Sequence, residues 1–262
     1  MDGCLRLTGL LLLCVLETSP ALAVEPQTSS IKPTLVISMA YREPSGLRRP
    51  VVEVWSSGEV RAIELRGTRQ NPVEVPAVDR LASAECRELI ECVRDEWRLD
   101  QVTTESIEQS LRIASEARQL TAEIPNAAMT ELTVIRNGET VTIACPAVSI
   151  LSTRFPEVEE VQQIARAQTR LLNIAAIALV GGQAQADRLA SAATSQLRTT
   201  HPASTVTRHD LRMVRRLADG SRFVQFAAPA VTGHAETCLV SMTQSPQGAT
   251  RVSVLESPAV VR

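Results

Sequence analysis

At 262 residues and a formal charge of −2, the chain is long enough for one large or two modest cores. It lacks the basic excess of a nucleic-acid binder or a polybasic membrane anchor. Only six aromatic residues serve the whole length, and Lys32 is the sole lysine among the basic residues. Cores must therefore be built from Val, Ile, Leu and Ala, stacking faces for sugars or single-stranded nucleic acid are scarce, and the arginine bias reads as codon usage.

The first stretch, MDGCLRLTGLLLLCVLETSPALA, has Arg6 in a positive n-region, an apolar run from Leu10 to Leu16 and a small-x-small site at Ala21-Leu22-Ala23. It reads as a secretory signal over residues 1–23, cleaved after Ala23, which places the mature protein in the periplasm or outside the cell. The run is too short to span a bilayer, which takes about 20 apolar residues, so no membrane span is expected after cleavage. Removing 23 residues from 262 leaves 239, beginning with a polar, flexible leader over 24–33.

An N-terminal α+β unit is expected over 34–156. TLVISMAYR alternates as a strand, and PVVEVWSSGEVRAIELRG forms a hairpin around Ser56-Ser57-Gly58. The proline-punctuated NPVEVPAVD reads as a loop. A helix follows with Ser83 as N-cap, Glu85 and Glu88 near its positive end, and an apolar stripe of Cys86, Leu89, Ile90, Val93 and Trp97. A second amphipathic helix runs from Glu105 to Leu120, with Ile107, Leu111 and Ala114 inward. In TELTVIRNGETVTIAC, Asn137-Gly138 suits a type I′ turn and pairs Val134 with Val141 and Leu132 with Ile143, which puts Cys145 on the same face.

Residues 157–182 read as a connecting helix, with Glu157, Glu159 and Glu160 in its first turn and Gly181-Gly182 at its end. Its second half, LLNIAAIALV, is apolar nearly all round, as for a helix buried between two sheets. Leu172, Ile174, Ile177 and Leu179 would form an interface, with a protein partner or a second copy of the chain, wherever that helix is uncovered.

The C-terminal unit, 183–262, opens on the helix ADRLASAATSQLR. Strands are expected at 205–217 and 221–228 around Ala218-Asp219-Gly220, then at TCLVSMT and TRVSVLE. The fold class is thus α+β: two small antiparallel-sheet units with covering helices, joined by a long helix. The helix-plus-four-strand meander of residues 184–256 resembles the cystatin-like topology. The inhibitory glutamine-x-valine-x-glycine hairpin of cystatins is absent, LADGSRF standing in its place, so protease inhibition does not follow from the resemblance. DRLASA occurs at 79–84 and again at 187–192, and NGETVTIACPAV echoes DGSRFVQFAAPAV. Either the halves are diverged copies or an Ala-, Ser- and Val-rich chain repeats itself by chance.

Four thiols remain after cleavage: Cys86, Cys92, Cys145 and Cys238. Six residues on a helix rise about 9 Å, beyond the roughly 7 Å Cα limit of a disulfide, so Cys86 and Cys92 do not pair while that helix is intact. Cys86 faces the sheet carrying Cys145, and Cys86–Cys145 is the expected bridge. Cys238 shares a face with Val240 and Met242 and is expected in the core. The imidazoles of His201, His209 and His234, with Cys238, are the residue types of a zinc or copper site, although no pair has the usual close spacing. Ser29-x-x-Lys32 precedes Pro33, which disfavours the helical turn that a serine–lysine pair requires. No nucleophile elbow is present and no cofactor is indicated. The expectation is an exported, non-enzymatic binding or interaction module. The alternatives are a hydrolytic or metal-dependent enzyme using the His/Cys set, or a purely structural envelope component.

Overall fold

In a computed structural model, which describes residues 32–67, 72–229 and 235–258, the chain is α+β, with two antiparallel sheets. The expected signal (1–23), residues 24–31 of the expected leader and His234 lie outside the described residues. The first sheet has the order β4-β3-β2-β1-β5-β6, built from β1 (Leu35–Arg42), β2 (Arg48–Trp55), β3 (Glu59–Gly67), β4 (Pro72–Arg80), β5 (Met129–Arg136) and β6 (Glu139–Pro146). The second is a meander, β10-β9-β8-β7, of β7 (Leu211–Arg216), β8 (Arg222–Pro229), β9 (Ala235–Gln244) and β10 (Thr250–Pro258). The described helices are α1 (Ser83–Glu91), α2 (Thr104–Arg118), α3 (Val148–Arg154), α4 (Glu159–Val180) and α5 (Gln183–Leu197). None of them is long and apolar enough to cross a membrane.

The β5–β6 hairpin has the expected register, Val134 opposite Val141 and Leu132 opposite Ile143. Asn137 and Gly138 both take positive φ, 51° and 84°, as a type I′ turn demands. The segment read as a proline loop is instead β4. Proline is tolerated on a sheet edge because its missing N–H costs no ladder bond there, and β4 is the outer strand. Ala82, not Ser83, caps α1, its N–H donating to Glu85 Oε2 at 3.1 Å. Cys92–Glu96 continues α1 as a π-helical turn, which swings Trp97 into the core while Ile90 and Val93 stay partly exposed.

The outer face of the first sheet is polar, as one face of an antiparallel sheet commonly is. At its centre Glu131 is only 1% exposed, held by Arg42 and, at 2.9 Å, by Arg48. The inner face carries Ile37, Met39, Val52, Val54, Leu132 and Ile143 into a first core. A second core gathers Leu189, Ala193, Leu211, Phe226, Val240 and Met242 under α5.

Helix α4 serves both cores. Val161, Ile164, Ala167, Leu171, Ile174 and Ala178 belong to the first, whereas Ala176, Ile177 and Val180 belong to the second. That double duty is why its C-terminal half is apolar all round. The interface expected at Leu172, Ile174, Ile177 and Leu179 is therefore not an open surface. Ile174 and Ile177 are buried, and Leu172 and Leu179 pack against the first core.

Gly181 (φ 104°) ends α4, and Gly182 (φ 91°) starts α5 in another conformation that favours glycine. A Cβ on Gly182 would also stand 3.1 Å from Asp79 Oδ1, so substitution there is opposed by both strain and contact. Polar ties cross the junction: Arg208, which also pairs with Asp187 of α5 at 3.1 Å, reaches Glu85 at 3.2 Å, and Arg216 of β7 reaches Glu64 of β3 at 3.4 Å.

Candidate functional site

A groove of about 510 Å³ runs between α1 with its π turn on one side and α4 and β7 on the other. Small-molecule sites commonly occupy about 300–1,000 Å³. One wall carries Glu88, Cys92 and Glu96. The other carries Arg166 and Arg170 of α4, Arg212 of β7 and His209 of a 3-10 turn, Arg208–Asp210. Trp97, Gln162, Ala165, Thr169 and Asn173 complete the lining.

Most of these groups are already engaged. Arg166 pairs with Glu159 at 3.0 Å, and Arg170 approaches Glu88 at 3.6 Å. Arg170 also donates to His209 Nδ1 at 3.2 Å. A guanidinium is always a donor, so that contact assigns Nδ1 as acceptor and leaves the proton of the neutral ring on Nε2. Arg212 has neither an ion pair nor a hydrogen-bond partner among the described residues.

Asn173 is the most constrained polar group. It is 1% exposed, and its Nδ2 donates to Arg208 O at 2.8 Å and Leu211 O at 2.9 Å. Exchanging the amide's N and O would set an oxygen against two carbonyls, so its orientation is fixed. Oδ1 is then a buried acceptor without a partner, which carries a cost of about 1–3 kcal/mol unless a donor is supplied. A second cavity of about 10 Å³ shares Arg170, Asn173 and His209 with the groove, room for one water at most.

Cys92 and His209 line one groove, which raises the question of nucleophilic catalysis. Reactive thiols sit in electropositive surroundings that lower their pKa. Here burial pushes the Cys92 thiol up to about 11, with Glu96 and Glu88 adding to the rise and Arg170 opposing it. The thiol donates to Glu96 Oε2 at 3.3 Å and stays protonated at neutral pH. Beside the groove, burial raises Glu85, but the Ala82 N–H, the Gln183 amide and Arg208 outweigh it and hold that carboxyl below its ordinary value.

The histidine and cysteine set is dispersed. His209 is in the groove, His201 follows α5 with its N–H on Leu197 O, and Cys238 lies in the second core. Among the described residues no three His, Cys, Asp or Glu side chains could hold a metal ion.

The Cys86–Cys145 bridge is likewise not formed: both are buried free thiols. Cys145 sits in the cross-strand row Cys145–Thr130–Tyr41–Arg49. The Cys86 thiol is instead 3.8 Å from the Trp55 carbonyl, at the far end of β2 and roughly 20 Å along the strand from that row. β6 is also three strands from β2, about 14 Å more across the sheet. The helix does face the sheet, but its cysteine meets the wrong end of it.

Sequence reasoning missed Arg170, Asn173 and Arg212 as site residues. One signal was present: Asn173 is the only polar residue in LLNIAAIALV, and a polar group inside a buried run needs partners. Compared with known protein families, curated proteins and solved structures, the chain matches none.

Proposed function

We propose that the protein is an exported, non-enzymatic binding module that holds a small ligand in the groove between α1 and α4. The observation that carries this reading is the 510 Å³ groove itself, whose walls set Glu88 and Glu96 opposite Arg212, a side chain with no ion pair or hydrogen bond among the described residues. Its volume falls within the range common for small-molecule sites. The protonated state of Cys92 supports binding over acyl transfer. The Leu10–Leu16 run and Ala21-Leu22-Ala23 support export to the periplasm or beyond; mass spectrometry of secreted material should find Val24 at the amino terminus, and Met1 there would overturn the location.

The binding reading is tested by a thermal-shift screen of metabolites and short peptides against the protein and a Thr169→Trp variant, Thr169 being an exposed residue of the groove wall. A ligand at 100 times its Kd stabilises by about 2.7 kcal/mol. A hit that raises Tm in the parent and not in the variant is expected. Absence of any hit, or equal shifts in both proteins, would refute the groove as a binding site.

A further inference from the structure

The two walls of the groove differ in charge. Glu88 and Glu96 stand on the α1 side, and Arg166, Arg170 and Arg212 on the α4 and β7 side. Arg166 and Arg170 are engaged by Glu159 and Glu88, so Arg212 is the guanidinium open to an incoming anion. A guanidinium fork matches a carboxylate with two parallel N–H bonds. On the opposite wall, Glu96 accepts only the weak thiol donor of Cys92, and an ionised carboxylate has capacity for several more bonds.

A ligand meeting both demands carries a carboxylate at one end and an ammonium at the other. Gln162 and Asn173, the outermost α4 residues of the lining, are separated by about 16 Å along the helix at 1.5 Å per residue. Four extended residues span roughly 13–14 Å.

We infer that the groove binds short unblocked peptides, with the terminal carboxylate on Arg212 and the terminal ammonium toward Glu96. This rests on the groove being a ligand site and adds the chemical class of its occupant. A ligand of one sign would leave one wall unanswered, and an apolar one would bury Arg212 without a partner, which opposes binding.

The test is calorimetric titration of the full chain with tetra-alanine, its C-terminal amide and its N-acetyl form. The free tetrapeptide is expected to bind at least tenfold more tightly than either blocked form. Arg212→Gln should abolish the preference for acid over amide, and Arg212→Lys, which keeps the charge, should retain part of it. Circular dichroism establishes that both variants are folded. Equal affinity for free and blocked peptides, no binding of tetra-alanine, or an acid preference that survives Arg212→Gln in a folded protein would each overturn the inference. A ligand found in the screen that is excluded by Thr169→Trp yet indifferent to Arg212 would leave the groove a binding site and remove only the peptide assignment.

Discussion

Replacing Asn173 by leucine keeps the number and branching of the side-chain heavy atoms and deletes its amide. In the parent, Nδ2 ties α4 to the carbonyls of Arg208 and Leu211 at 2.8 and 2.9 Å, where the chain turns into β7. Arg208 O also accepts from the Leu211 N–H, so it is not left bare. The two lost hydrogen bonds are worth roughly 1 kcal/mol each. Removal of the unpartnered Oδ1 offsets part of the desolvation cost at Leu211 O, and the net loss expected is about 2 kcal/mol. For a domain of this size 1 kcal/mol moves Tm by roughly 2–4 °C, so Asn173→Leu should melt some 4–8 °C below the parent. Asn173→Asp should also destabilise, because a carboxylate oxygen would replace the amide donor facing the Arg208 and Leu211 carbonyls. Differential scanning calorimetry at pH 7 decides the matter. If Asn173→Leu melts with the parent or above it, the amide is not what joins α4 to the second sheet.

Three further outcomes are expected. Ile177→Asp puts a carboxylate at a site 7% exposed within the second core; it should cost more than about 4 kcal/mol, and a cooperatively folded variant differing only in oligomeric state would contradict the burial described here. Cys86, Cys92 and Cys145 should all be alkylated on denaturation without prior reduction, and dithiothreitol should leave their contribution to Tm unchanged, whereas a Cys86–Cys145 bridge closing about 60 residues would add about 4 kcal/mol and remain unlabelled. Burial raises the Cys145 thiol to about 12 from an ordinary 9.0, so the folded state holds that proton more tightly than the unfolded chain. Its contribution to stability is complete below pH 9 and is lost as pH rises toward 12, by up to about 1.4 kcal/mol per unit. Cys92, raised to about 11, adds to the same decline. Urea unfolding at pH 8, 9 and 10 should show a decline that Cys145→Ala reduces; an unaltered slope in that variant would assign the decline elsewhere.

The parts of the fold legible in the sequence are those whose cause is local. The Asn137-Gly138 turn fixes its own register because only a narrow set of residues accepts positive φ twice in succession, and the apolar spacing of Ile107, Leu111 and Ala114 places the inner face of α2. β4 was hidden because prolines mark loops in general and are excused only on an edge, which is a property of the sheet and not of the segment. The short helix α3 follows Ala147 in a left-handed conformation (φ 42°), where alanine gives no warning. The repeated DRLASA makes the point within one chain: residues 79–84 end a strand and open α1, whereas 187–192 lie wholly inside α5. Six identical residues take the structure of whatever they are packed against.

The site was less legible than the fold for a related reason. Glu88, Arg170, His209 and Arg212 come from four separate elements, and their meeting depends on α4 lying between two sheets. That placement also decides what the groove is. Its acidic wall belongs to the helix covering the first sheet, Arg212 belongs to β7 of the second, and Asn173 stands on the helix they share while bonding the carbonyls that lead into β7. A ligand spanning both walls therefore touches elements of both cores at their seam. Its binding free energy must oppose separation of the sheets, so such a ligand would tighten the junction that the Asn173 amide already holds.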